Sequence, residues 1–159
     1  MKIGDILLMD NKGFAGWIIR KFTKQEYSHC VCYLGGEYVI ESDWGGVKIT
    51  PLNEFKNYEV YRYKDATEEQ LRMATQWMIS QQGCGYDWGG ILGIALSIIG
   101  KKKGNPWDNK TKYWCSELIA DGYLNAGIDI PVDDNTWKTT PGDFAEMEGL
   151  NLIIFKNNE

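Results

Sequence analysis

A chain of 159 residues, 43% hydrophobic and 13% aromatic, is long enough for one sizeable core and short for two, so a single domain over 1–159 is expected. A net charge of -5 and a pI near 5.0 argue against a nucleic-acid binder, because phosphate contacts need clustered Lys and Arg. The one basic run, Lys101 to Lys103, reads as a solvated loop.

Ile3 to Met9 reads as a first strand, and Gly13 to Phe22 as a short amphipathic helix or structured loop. A β-rich block follows. Ser28 to Leu34, Glu37 to Ser42, Val47 to Thr50 and Tyr58 to Tyr63 are short, rich in Val, Ile and Tyr, and separated by Gly35-Gly36 and Trp44-Gly45-Gly46 turns. The expected arrangement is an antiparallel meander. Thr67 with Gln70 makes a capping box for a helix whose buried stripe is Leu71, Ala74, Trp77 and Met78. Tyr86-Asp87-Trp88 opens a second helical segment that continues through the apolar run Ile91 to Ile99, and a loop with Pro106-Trp107 follows as a connection or site rim. A third helix is expected from Trp114 to Ala126, stopped by Gly127. Thr140-Pro141 starts a short helix, and Leu150 to Phe155 reads as a last strand. The apolar run is too short to cross a bilayer, which takes about 20 residues. No signal peptide is visible after Met1, so a soluble cytoplasmic protein is the default reading.

The single histidine, His29, restricts the possible chemistry. A thiol becomes a strong nucleophile at neutral pH beside an imidazole, so a cysteine mechanism here has only His29 as its base. Of the four cysteines, at 30, 32, 84 and 115, Cys115 opens a predicted helix, where unpaired N–H groups and the helix dipole favour thiolate and could bind an oxyanion. A buried structural cysteine is the competing reading. Cys30 and Cys32 fall on one strand face with His29 on the other, which weakens a zinc site built from the three. No metal and no cofactor are expected, and no Gly-rich phosphate loop follows a strand.

An imidazole base needs an orienting partner. A three-residue loop Leu34-Gly35-Gly36, with Gly36 left-handed, sets Glu41 opposite His29, whereas a two-residue Gly35-Gly36 turn sets Ser42 there; we prefer the first because it supplies a carboxylate. Tyr27 is a candidate oxyanion donor, Ser116 follows the thiol, and Tyr86 is a candidate cleft-lining residue.

The order Gly4-Asp5-Ile6-Leu7-Leu8, Ser28-His29, Tyr38-Val39-Ile40-Glu41, Tyr86-Asp87, then Tyr113-Trp114-Cys115-Ser116-Glu117-Leu118 resembles the permuted NlpC-type papain-like hydrolases, specifically the YaeF/YiiX group. The likeness runs from Ile3 to Thr140-Pro141-Gly142-Asp143 and rests most on Cys115-Ser116-Glu117-Leu118 with an upstream Ser-His and a Val-Ile-Glu strand. The resemblance implies an α+β fold, an antiparallel sheet or small open barrel packed against helices. It also implies Cys115 as nucleophile, His29 as base and acid, Glu41 as orienting residue, and a peptide or amino-acyl amide substrate, with cell-wall fragments favoured. Cys30-Val31-Cys32 departs from the small or aliphatic residues usual there. Two other readings compete: a thiol-dependent lipid acyltransferase using the Ile91 to Ile99 stretch, with membrane contact not favoured, and a non-catalytic binding module. The sequence sets no oligomeric state.

Overall fold

The computed structural model describes residues 1–10, 25–87, 89, 111–131 and 136–156. The helix or loop expected over Gly13 to Phe22, the apolar helix through Ile91 to Ile99, the Lys101 to Lys103 run and the Pro106-Trp107 loop lie outside them.

Six antiparallel strands form one open sheet: β1 (Ile6–Met9), β2 (His29–Gly35), β3 (Tyr38–Asp43), β4 (Gly46–Pro51), β5 (Tyr58–Tyr63) and β8 (Leu150–Lys156). Their spatial order is β4-β3-β2-β1-β5-β8. The meander expected from the β-rich block therefore holds for β2, β3 and β4 but not for β5. A 3-10 turn at Leu52–Glu54 leads the chain back across the sheet, and β5 pairs with β1, Leu7 opposite Val60. Period-2 alternation fixes which face of a strand is buried but not which neighbour it takes. β1 is buried at all four positions, as befits a strand with partners on both edges and apolar layers on both faces.

Among the described residues, three helices accompany the sheet: α1 (Glu68–Ser80), α2 (Cys115–Asn125) and α3 (Pro141–Glu146). Thr67 and Gln70 cap α1 reciprocally, and Leu71, Ala74 and Met78 are buried while Trp77 is half-buried with its ring edge-on to Tyr113. Thr140 and Asp143 cap α3 in the same way. In α2 the expected stripe of Cys115, Leu118, Ile119, Gly122, Tyr123 and Ala126 is buried, as are Ser116, Glu117 and Ala120. The helix is thus enclosed on nearly all sides, by α1, by β2 and β3, and by the 3-10 turn at Thr136–Lys138. α1 and α2 cross closely at Gly122, where a Cβ would lie 2.5 Å from the Met78 side chain. Tyr86, expected to open a second helix with Asp87 and Trp88, instead ends a two-residue strand, β6 (Gly85–Tyr86), that pairs in parallel with Lys112–Tyr113 (β7).

The apolar residues divide by sheet face. Ile6, Leu8, Cys30, Cys32 and Ile40 pack with α1 and α2, and Leu7, Met9, Val31, Val39, Tyr58 and Val60 form a smaller layer on the other side.

Candidate active site

Cys115 is the first residue of α2 and is 1% exposed. Its preceding residue cannot continue the helix inward, because Trp114 is extended, and the Glu117 carboxylate turns back to accept from the Trp114 N–H at 3.4 Å. The first turn is further pinned by Ser116, whose hydroxyl donates to the Thr139 carbonyl at 2.5 Å. The thiol is therefore held rigidly where the helix's free N–H groups converge.

His29 is the first residue of β2 and is likewise buried. Its Nε2 lies 2.8 Å from Glu41 Oε2. The other carboxylate oxygen, Glu41 Oε1, accepts from the Thr50 hydroxyl at 2.6 Å and has Lys48 Nζ at 3.8 Å. Lys48 is closer to Asp43, at 2.7 Å. Phe55 stacks beside the imidazole, ring centroids 6.4 Å apart and planes inclined by 20°.

The β2–β3 register differs from both expected alternatives. Cys32 faces Ile40 and Tyr33 faces Val39, and a bulge between Tyr33 and Gly35 precedes the Gly35–Tyr38 closure, so the turn is one residue further along than either reading placed it. Extending the Cys32–Ile40 pairing down the strand brings His29 opposite Asp43 and leaves Glu41 diagonal to it. A shift of two residues preserves side-chain parity, so the carboxylate stays on the imidazole's face. Ser42, on the opposite face, donates to the Tyr113 carbonyl at 2.6 Å.

Electrostatics couple the thiol to two neighbours. The Cys30 thiol, then the His29 imidazole, and then the Cys30 backbone favour Cys115 as thiolate, holding its pKa well below the ordinary value although burial opposes this. Burial works against a charged His29, but Cys115 and Glu41 outweigh it and push the imidazole up to about 10. Burial, with Cys115 beside it, pushes the Cys30 thiol up.

The other expected site residues are placed as follows. The Tyr27 hydroxyl donates to Glu59 at 2.5 Å and touches the Tyr61 hydroxyl at 3.3 Å, so it is directed toward β5. Tyr86 is half-buried, and its hydroxyl is pushed up by burial and then by the charges of Cys115, Cys30 and nearby acids. Thr50, Phe55 and Lys48 were not foreseen. All three line or adjoin the cleft of about 330 Å³ that opens over His29 and Glu41, bordered by the exposed Trp44.

Comparison with known proteins bears on the family and the fold. Residues 1–144 match the family model described as permuted papain-like amidase enzyme, YaeF/YiiX, C92 family. Among solved structures, one described as the metalloprotein yiiX from Escherichia coli O157:H7 is similar at 18% identity with a TM-score of 0.75, covering 99% of this chain and 98% of that one. Comparison with curated protein sequences gives no match. Among the described residues, no three His, Cys, Asp or Glu side chains come together to hold a metal ion, and no helix is long and apolar enough to cross a membrane. With nine-tenths of its length matched and its sheet open and antiparallel against helices, the chain belongs to the YaeF/YiiX family of permuted papain-like amidases.

Proposed function

We propose that this chain is a cysteine hydrolase that cleaves an amide bond in a peptide or amino-acyl substrate, with Cys115 as nucleophile, His29 as general base and acid, and Glu41 as the residue that orients the imidazole. Family membership points to a hydrolase and an amide-type substrate. The observation that carries the finer reading is the buried His29–Glu41 contact of 2.8 Å beside a thiol at a helix N-terminus. Glu41 occupies Nε2, which leaves Nδ1 as the ring nitrogen for the thiol. The Cys115 thiolate attacks the carbonyl carbon, and N–H groups of the first turn of α2 receive the negative charge that develops on oxygen. His29 then donates its proton to the departing amine. Water, deprotonated by the same imidazole, releases the acyl group and returns the thiol. Cell-wall peptide fragments are the substrates to screen first.

Replacing Cys115 with Ala should abolish turnover of peptide amides while leaving the far-UV spectrum and melting temperature near those of the parent. His29→Ala should lower alkylation of Cys115 by iodoacetamide at neutral pH by at least about tenfold, since the thiolate loses one of its supports. Amide turnover retained by Cys115→Ala would overturn the mechanism.

A further inference from the structure

We propose that Cys30 and Cys115 form a reversible disulfide when Cys115 meets a peroxide, which makes this buried pair an oxidative modification site. The inference goes beyond hydrolysis and does not need turnover to be tested.

The two sulfurs come from elements packed directly on each other. Cys30 is the second residue of β2, set opposite Leu8, and its side chain points to the helix side of the sheet. Cys115 begins α2, which packs across β2 and β3. Both thiols are free, both are buried, and they share one cluster. Both the thiol and the backbone of Cys30 bear on the Cys115 sulfur. The catalytic scheme above gives Cys30 no role, although its thiol lies on the face of β2 against which the helix that Cys115 begins is packed.

The chemistry balances in two steps. The Cys115 thiolate attacks one oxygen of hydrogen peroxide, the O–O bond breaks, and hydroxide leaves, giving a sulfenic acid. The Cys30 sulfur then attacks the Cys115 sulfur, the S–O bond breaks, and the departing hydroxide takes the Cys30 proton as water while the S–S bond forms. Two cysteines together lose two electrons and the peroxide gains them. Once Cys115 is a neutral sulfenic acid, the negative charge that had opposed ionisation of Cys30 is gone, so the second step is favoured by the first. Cys32 lies two residues along the same strand face, where burial and then the Asp5 charge keep it a thiol. It serves as the control.

The experiment treats reduced full-length protein with hydrogen peroxide and maps peptides by mass spectrometry without reduction. The expected result is a Cys30–Cys115 linked peptide, an intact mass lower by two hydrogens, and full recovery of Cys115 alkylation after dithiothreitol. In Cys30→Ser and Cys30→Ala, Cys115 should instead advance to the sulfinic acid and fail to recover, while Cys32→Ser should behave as the parent. Overoxidation of Cys115 at equal rates in parent and Cys30 variants, linkage of a different pair, or no oxidation of Cys115 at all would each overturn the proposal. If both Cys30 variants unfold, the linked peptide in the parent alone decides. Amide turnover of the reduced protein is read separately, so a hydrolase that forms no disulfide and a disulfide-forming protein that hydrolyses nothing are told apart.

Discussion

Glu41 is a carboxylate with both oxygens engaged inside the protein: Thr50 on one and His29 on the other. A buried carboxylate free to rotate would offer the imidazole a variable partner, so the 2.6 Å hydrogen bond from Thr50 is what selects one orientation. Thr50→Val keeps the shape and removes the donor. It should reduce kcat by about tenfold, as expected for one hydrogen bond to a charged group, with Thr50→Ser restoring most of the rate. The pH profile gives the independent readout. With Cys115 held below and His29 above their ordinary values, the thiolate–imidazolium pair exists between the two, so kcat/KM should rise at a pH far below the ordinary thiol range and fall as His29 loses its proton near about 10. In Thr50→Val the alkaline limb should move to lower pH, because a misaligned Glu41 supports the charged imidazole less well. An unmoved limb would assign Thr50 a structural role only. His29, Glu41 and Cys115 were legible as candidates from residue type and position. Thr50 was legible in principle: the two-residue Trp44-Gly45 turn pairs Asp43 with Gly46 and so sets Lys48 opposite Glu41 and Thr50 on the same face. A threonine in a strand is so ordinary a residue that only a known carboxylate neighbour distinguishes it.

At the scale of elements, the two hairpins that carry the site are fixed differently. The β2–β3 turn is open: Gly36 is left-handed at φ 63°, and a Cβ there would meet nothing within 4 Å. The β3–β4 turn is clamped. Gly46 has φ 89°, a Cβ on it would lie 2.2 Å from the Cys84 carbonyl oxygen, and that same carbonyl accepts from the Val47 N–H at 2.8 Å. Gly36→Ala should cost about 1 kcal/mol, the conformational penalty alone. Gly46→Ala should cost at least about 3 kcal/mol, since the backbone of the loop after α1 has to move as well. Urea denaturation of the two variants decides, and equal losses would show that the contact with Cys84 carries no weight. The capped helices α1 and α3 could be read directly because Thr67-Gln70 and Thr140-Asp143 are local signals. The β2–β3 register could not, because a bulge adds a residue without leaving a mark on the alternation.

Over the whole molecule, the sheet is tied across its middle by Asp5 and Arg62. The carboxylate precedes β1, is fully buried, and is held at 2.7 and 2.8 Å by two guanidinium nitrogens from β5, with the Lys2 N–H at 2.6 Å. Such a pair is weak evidence for net stability while intact, but removing one partner strands the other. Arg62→Leu should therefore destabilise the fold by about 3 kcal/mol, read as a lowered urea midpoint with an unchanged slope, whereas the joint Asp5→Leu/Arg62→Leu change should recover part of that loss. The pairing of β5 with β1 that this bridge reinforces was the feature least accessible from sequence. Residues 3–9 and 58–63 alternate as strands do, and nothing within either segment states that the other is its neighbour.

That strand order also has a consequence for how the chain is made. The residues that hold the imidazole, His29, Glu41 and Thr50, lie within three consecutive strands, β2 to β4, while Cys115 follows 65 positions after Thr50. On the ribosome the imidazole–carboxylate pair can assemble before the thiol has been synthesised, at roughly 5–20 residues per second. The candidate nucleophile is therefore added to a partner already in place, and its thiol reaches that partner only when α2 packs against β2 and β3.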